Sequence, residues 1–160
     1  MFRKNGDSGS SIRNCDGLRI HIEALDIDVW YGPTTLGGGD EWLNEIKTGI
    51  DNAFVFIPII TDHFLFSDIC IKELKHFQKR METADAKDLK LIPIVGQLSS
   101  RGRGSDIFRS IAEKYHYIEF HPRMADALTS FTMTLQAQIA RCKNRNRRIG
   151  ESQIMTVETA

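Results

Sequence analysis

Apolar positions along the chain follow two alternating periods. Helical spacing, three or four residues apart, marks Ile12, Cys15, Leu18, Ile22 and Leu25, then Trp42, Leu43, Ile46 and Ile50, then Cys70, Leu74, Phe77 and Met81. It returns at Ile107, Phe108, Ile111 and Tyr115, and again at Met124, Leu128, Phe131, Leu135 and Ile139. Between these stretches lie short runs rich in β-branched and aromatic residues: Ile27–Tyr31, Phe54–Ile60, Leu89–Val95 and Tyr117–Phe120. The run from Phe54 to Ile60 is apolar on both sides, as a buried parallel strand requires. Strands alternating with helices predict βαβ units, a parallel sheet and right-handed crossovers. Pro58 and Pro93 each lack a ladder donor, so each is expected toward the carboxyl end of its run, where pairing lapses into loop.

The two ends of the chain fit this alternation poorly. It opens on a helix, preceded only by Met1–Lys4 and a Gly/Ser-rich stretch at 5–11. In the doubly wound order 2-1-3-4-5 the first strand is central, so a central strand is unaccounted for. From Arg141 the chain turns basic and polar, so a domain at 1–142 is expected to be followed by a disordered tail at 143–160. A length of 160 residues suits one domain. A formal net charge of zero gives no global attraction to nucleic acid or an anionic membrane. Cys15, Cys70 and Cys142 are widely spaced with no C-x-x-C pair, which suits free thiols in a reducing, cytoplasmic setting. No apolar run has the pattern of a signal peptide or the length of a membrane span.

Several groups are candidates for chemistry. Glu73 falls at the rim of the Cys70–Met81 stripe, on a helix that follows a strand, where open α/β folds expose working groups. The competing explanation is a first-turn acid favoured by the helix dipole. Gly37-Gly38-Gly39 lies between a strand and a helix but lacks the Lys-Ser/Thr of a P-loop, and Asp40 and Glu41 would repel a phosphate. Arg101-Gly102-Arg103-Gly104 could grip an anion or be a solvated connection. The five histidines show no metal-ligand spacing, and no Ser or Cys sits in a nucleophile elbow. Cys70 reads as a small buried hydrophobe. Trp30 and Tyr31, at a strand's carboxyl end, suit either stacking on a ring or packing.

Taken in order, Ile27-Asp28-Val29-Trp30, Leu36-x-x-Gly39-x-x-Trp42, Ile46 and Ile50, Phe54 through Thr61, Ser67-x-x-Cys70-x-x-Glu73-Leu74 and Leu91-Ile92-Pro93-Ile94 resemble a TIR (Toll/interleukin-1 receptor) domain of the bacterial and plant-type branch. The resemblance covers roughly residues 1 to 140. It implies a flavodoxin-like parallel sheet flanked by helices, with residues 36 to 39 in a loop used for TIR–TIR contacts and for framing a cleft. It implies that Glu73 is the glutamate with which enzymatic members cleave NAD+, and that Phe2, Arg3, Trp30, Leu36, Gly39, Ser67 and Cys70 surround the substrate. NAD+ would then be a substrate, with no cofactor and no metal. Partners would be further copies and other TIR domains. Two positions depart from the pattern: Ile69 stands where many relatives carry tryptophan, and Gly32 replaces a frequent acidic residue.

The reaction implied is cleavage of the bond between nicotinamide and ribose, giving ADP-ribose or a cyclic form of it. Nicotinamide leaves as a neutral pyridine, so one carboxylate suffices to steady the positive charge that develops on the ribose. The rival expectation is a scaffold that signals only by assembling with other TIR domains. A phosphoacceptor receiver domain is a third, but it lacks convincing acidic residues at its strand ends. Only Phe2-Arg3-Lys4 matches the end of the family's first strand. A central strand buries perhaps four apolar side chains at roughly 1.5–3 kcal/mol each, against a total stability of about 5–15 kcal/mol. Its loss predicts a truncated or mis-started fragment that folds poorly alone.

Overall fold

The computed structural model describes residues 18, 20–24, 28–31, 40–83, 88–120, 124–145 and 153–157, and for 28–31, 40–42, 124–125, 143–145 and 153–157 the backbone alone. A first helix, α1, includes residues 18 and 20–23. Then follow β1 (Asp28–Tyr31), α2 (Asp40–Asn52), β2 (Ala53–Ile60), α3 (Asp62–Phe66), α4 (Asp68–Met81), β3 (Lys90–Leu91), β4 (Ile94–Val95), α5 (Ser100–Arg103), α6 (Asp106–Lys114), β5 (Ile118–Glu119), α7 (Met124–Arg145) and β6 (Gln153–Val157). The strands form one sheet in the order β1-β6-β2-β4-β5, with β3 also on β2, and every pairing is parallel. This is the expected flavodoxin-like α/β architecture. Among the described residues no helix is long and apolar enough to cross a membrane.

Strand alternation in β2 divides the core between two faces. Phe56 and Ile60 point to one side, where they meet Ile46 and Ile50 of α2, Phe64 and Leu65 of α3, Cys70, Leu74 and Phe77 of α4, and Phe108 and Ile111 of α6. Val55, Ile57 and Ile59 point to the other, against Leu18 and Ile22 of α1 and Ala127, Phe131 and Leu135 of α7. His21 on α1 hydrogen-bonds Thr132 on α7 at 2.6 Å, so the two helices of that face are also tied by a polar contact.

Pro58 lies within β2, and Pro93 lies in the break between β3 and β4. Val55 and Phe56 pair with Lys90 and Leu91, and Ile59 and Ile60 pair with Ile94 and Val95. The register is the same on both sides of the gap, which sets Pro58 opposite Pro93. The two missing N–H groups thus fall at one break in the ladder, and pairing resumes beyond it. The Ile92 amide still donates to the Phe56 carbonyl at 2.9 Å, and the Pro93 carbonyl accepts from Ile118 at 2.9 Å.

One strand, β6, lies within the stretch 143–160 that was expected to be a tail. Residues 153–156 pair with 28–31 of β1, and residues 153–157 pair with β2 between Ala53 and Pro58 across a bulge at Ala53/Val55. The tail therefore fills the central place.

Candidate functional site

The candidate site is built on the connection that leaves the carboxyl end of β2. Thr61 caps α3, its hydroxyl accepting from the Phe64 amide at 3.2 Å. Ser67 ends α3 and also caps α4, its hydroxyl accepting from the Cys70 amide at 3.5 Å. A single extended residue thus turns the chain from one helix into the next. The stripe read from spacing is the buried face of α4: Cys70, Leu74 and Phe77 are all in the core, and Phe77 stacks on Phe56 with ring centroids 5.1 Å apart.

Glu73 lies deeper than its spacing suggested. It is 5% exposed, and apart from Gln138 no other polar or charged residue among those described is buried. It is not a first-turn acid; Asp68 takes that place. Gln138 is satisfied by the Asp88 carbonyl at 2.8 Å, whereas Glu73 Oε2 has no hydrogen-bond partner among the described residues. Burial raises the Glu73 pKa from an ordinary 4.5 to about 7. A buried carboxyl with an empty acceptor position is costly to keep, and such groups collect at functional sites.

The far end of α4 is held by contacts that periodicity did not reveal. The Arg80 guanidinium donates to the Ile50 carbonyl and, at 2.9 Å, to the Ala53 carbonyl, and lies 5.5 Å from the centre of the Phe77 ring. His76 bonds Asp51 at 2.6 Å. Both grip the junction of α2 and β2, one and two turns beyond Glu73, so the helix carrying the carboxyl is fixed to the strand that precedes it.

Across the carboxyl edge, Asp62 accepts from the Ser99 amide at 3.1 Å and from the Ser99 hydroxyl at 3.0 Å. This ties the start of α3 to the turn after β4. The Arg101–Gly104 stretch is a helical turn capped by Ser99. Its arginines are engaged: Arg101 lies 4.5 Å from the centre of the Phe66 ring, and Arg103 pairs with Glu119 at 2.6 Å. Neither is arranged as an anion grip.

Of the expected site residues, Ser67, Cys70 and Glu73 fall together on successive turns at the start of α4. Trp30 lies near the carboxyl end of β1, opposite Met155, with β6 between it and β2. Phe2, Arg3, Leu36 and Gly39, with the rest of the triple-glycine loop and Gly32, lie outside the described residues. Among the described residues no group of His, Cys, Asp or Glu is arranged to hold a metal ion.

No curated protein and no solved structure matches the chain. A family model described as the TIR domain matches residues 14–133, which reach into α7 and include the whole of the Ser67–Glu73 segment. With that match over most of its length, the chain belongs to the TIR domain family.

Proposed function

We propose that this TIR signalling domain hydrolyses NAD+ to nicotinamide and ADP-ribose, or to a cyclic ADP-ribose, with Glu73 as the catalytic carboxylate, and that self-association through TIR–TIR contacts switches the activity on. The observation that carries this reading is the buried Glu73 carboxyl with an acceptor oxygen unpartnered among the described residues. A ribose hydroxyl is the kind of donor that oxygen lacks. The positive charge of the nicotinamide ring attached to that sugar favours the ionised carboxylate, offsetting the burial that raises its pKa to about 7. As the N-glycosidic bond breaks, its electron pair leaves with nicotinamide, which departs neutral. The cation left on the ribose is stabilised by Glu73 until water adds and releases a proton.

The rigid mounting of α4 supports this role. Arg80 and His76 fix the helix from one end and the Ser67 cap from the other, so the carboxylate need not reorganise when charge develops. The test incubates the full chain with NAD+, with and without forced clustering by a fused oligomeric tag, and measures free nicotinamide. Release is expected on clustering, with a loss of at least about 100-fold in Glu73→Ala and a cooperative melt retained. Equal turnover by the two proteins would remove Glu73 from the reaction. Intact NAD+ in the clustered, folded wild type would leave an assembly module that signals without catalysis.

A further inference from the structure

The two helical layers differ in the charge they turn outward. On one layer the exposed side of α4 carries Asp68, Lys72, Lys75 and Lys79, and that of α6 carries Asp106, Arg109 and Glu113. On the other, α7 has no charged residue from Ala127 to Ala140, although charged residues make up 26% of the chain. Its exposed positions there are Thr129, Ser130, Met133, Gln136, Ala137 and Ala140. Met133 is 67% exposed, and Ile20 on the neighbouring α1 is 60% exposed. The contact that joins the two helices, His21 to Thr132, lies one residue after Ile20 and one before Met133. The two large apolar side chains therefore stand on adjacent helices. Charge depletion with an exposed methionine is the make-up of an interface core.

We propose that the uncharged face of α7 docks a second copy of this chain, about a twofold axis that passes near Met133. Charge selects a second copy over a different partner. The formal net charge is zero, so two copies do not repel at long range, and nothing on the face repels its own image. A partner chosen by charge would find nothing there to pair with. Symmetry makes the same selection, because a twofold contact needs a patch complementary to itself. Ser130 and Gln136 lie three residues before and after Met133. When α7 pairs antiparallel with its image, Met133 meets Met133 and each Ser130 faces the other copy's Gln136. Hydroxyl and amide each carry a donor and an acceptor, so both pairs are satisfied at once. Ser130 and Ala137 are small and let the two helix axes approach. Residues 129–140 make a face about 17 Å long on a helix roughly 10 Å wide, so even with α1 beside it each copy offers a few hundred Å², short of the roughly 800 Å² per partner of a stable complex. A contact of that size forms and dissolves with concentration, as an activity switched by clustering requires. α4, which carries Glu73, packs on the opposite face of the sheet and stays uncovered. The surface rests on the proposed NAD+ cleavage only for this consequence.

The experiment is sedimentation of the full chain through a dilution series, without NAD+. It compares wild type with Met133→Lys, Met133→Glu and Leu43→Lys, the last at an exposed apolar position on α2 in the opposite layer. Wild type and Leu43→Lys are expected to share one monomer–dimer equilibrium. Met133→Lys and Met133→Glu are each expected to weaken it at least about tenfold, because like charges then meet at the axis. An equal mixture of the two is expected to pair again, and all four proteins to keep a cooperative melt. A wild type that stays monomeric throughout, or a Met133→Lys that associates as wild type does, would overturn the docking face. A mixture that stays monomeric would overturn the twofold contact at Met133. Loss of association in Leu43→Lys alone would move the contact to α2 and overturn the proposal. Because NAD+ is absent, a protein with no hydrolase activity gives the same reading, and a monomeric one leaves Glu73 to be judged by the fused-tag assay.

Discussion

Glu73→Gln keeps the shape of the side chain and removes its titration. Burial lifts the carboxyl pKa from 4.5 to about 7, so the folded state holds a proton that the unfolded state releases earlier. Below pH 4.5 both states are protonated and burial of the neutral acid carries no ionisation cost. Between pH 4.5 and about 7 the unfolded chain gives up the proton that the folded chain keeps, so stability falls, and it levels off once the folded carboxyl ionises as well. The full loss, reached above pH 8, is on the order of 3 kcal/mol, with a slope of at most about 1.4 kcal/mol per pH unit. The glutamine variant lacks this slope. Its amide brings an unsatisfied group of its own, but that offset does not change with pH. The difference between variant and wild type is therefore expected to grow by about 3 kcal/mol in the variant's favour between pH 4.5 and 8. Other titrating groups are common to both proteins and cancel. Urea unfolding followed by circular dichroism at half-unit pH steps measures it, as a relative midpoint shift on the order of 1–2 M. A difference that stays constant within about 0.5 kcal/mol would refute the reasoning, since Glu73 would then have water or a partner in the folded state.

Two further predictions concern how the site is mounted. A Cβ at Gly102 would lie 2.0 Å from Asp62 Oδ1, so Gly102→Ala must displace the carboxylate that holds Ser99; a loss of about 1–3 kcal/mol is expected, shrinking in an Asp62→Ala background, as a double-mutant cycle of urea melts would read. Arg80→Met leaves the Ile50 and Ala53 carbonyls without their guanidinium donor and is expected to cost about 2–4 kcal/mol, lowering the melting temperature by roughly 2–4 °C per kcal/mol; an unchanged melt would show that water replaces the arginine at no cost.

What was legible in the sequence was local. The both-faces-apolar run at Phe54–Ile60 and the stripe Cys70, Leu74 and Phe77 carry their own periods, and they became β2 and the buried face of α4. The prolines were legible as breaks, but their consequence depends on a register between two strands, which neither strand states alone. β6 was missed for the same reason in stronger form. Gln153–Val157 is too short to show a period, and its partners lie at 28–31 and 53–58, far back in the chain. Glu73 was placed at a rim because helical spacing gives direction around an axis and not depth. Its burial is set by tertiary packing, and the Arg80 bonds that hold α4 run to backbone carbonyls that a side-chain pattern does not display.

The position of β6 also bears on synthesis. A ribosome makes every other described strand of this sheet before the one that joins β1 to the rest. Until then β1 has no described strand to pair with, and the edge of β2 that receives β6 stays unpaired. Closure over such a long sequence separation is intrinsically slow, and waiting chains of this kind draw on chaperones. Production of the domain should therefore respond to chaperone supply more strongly than its size suggests.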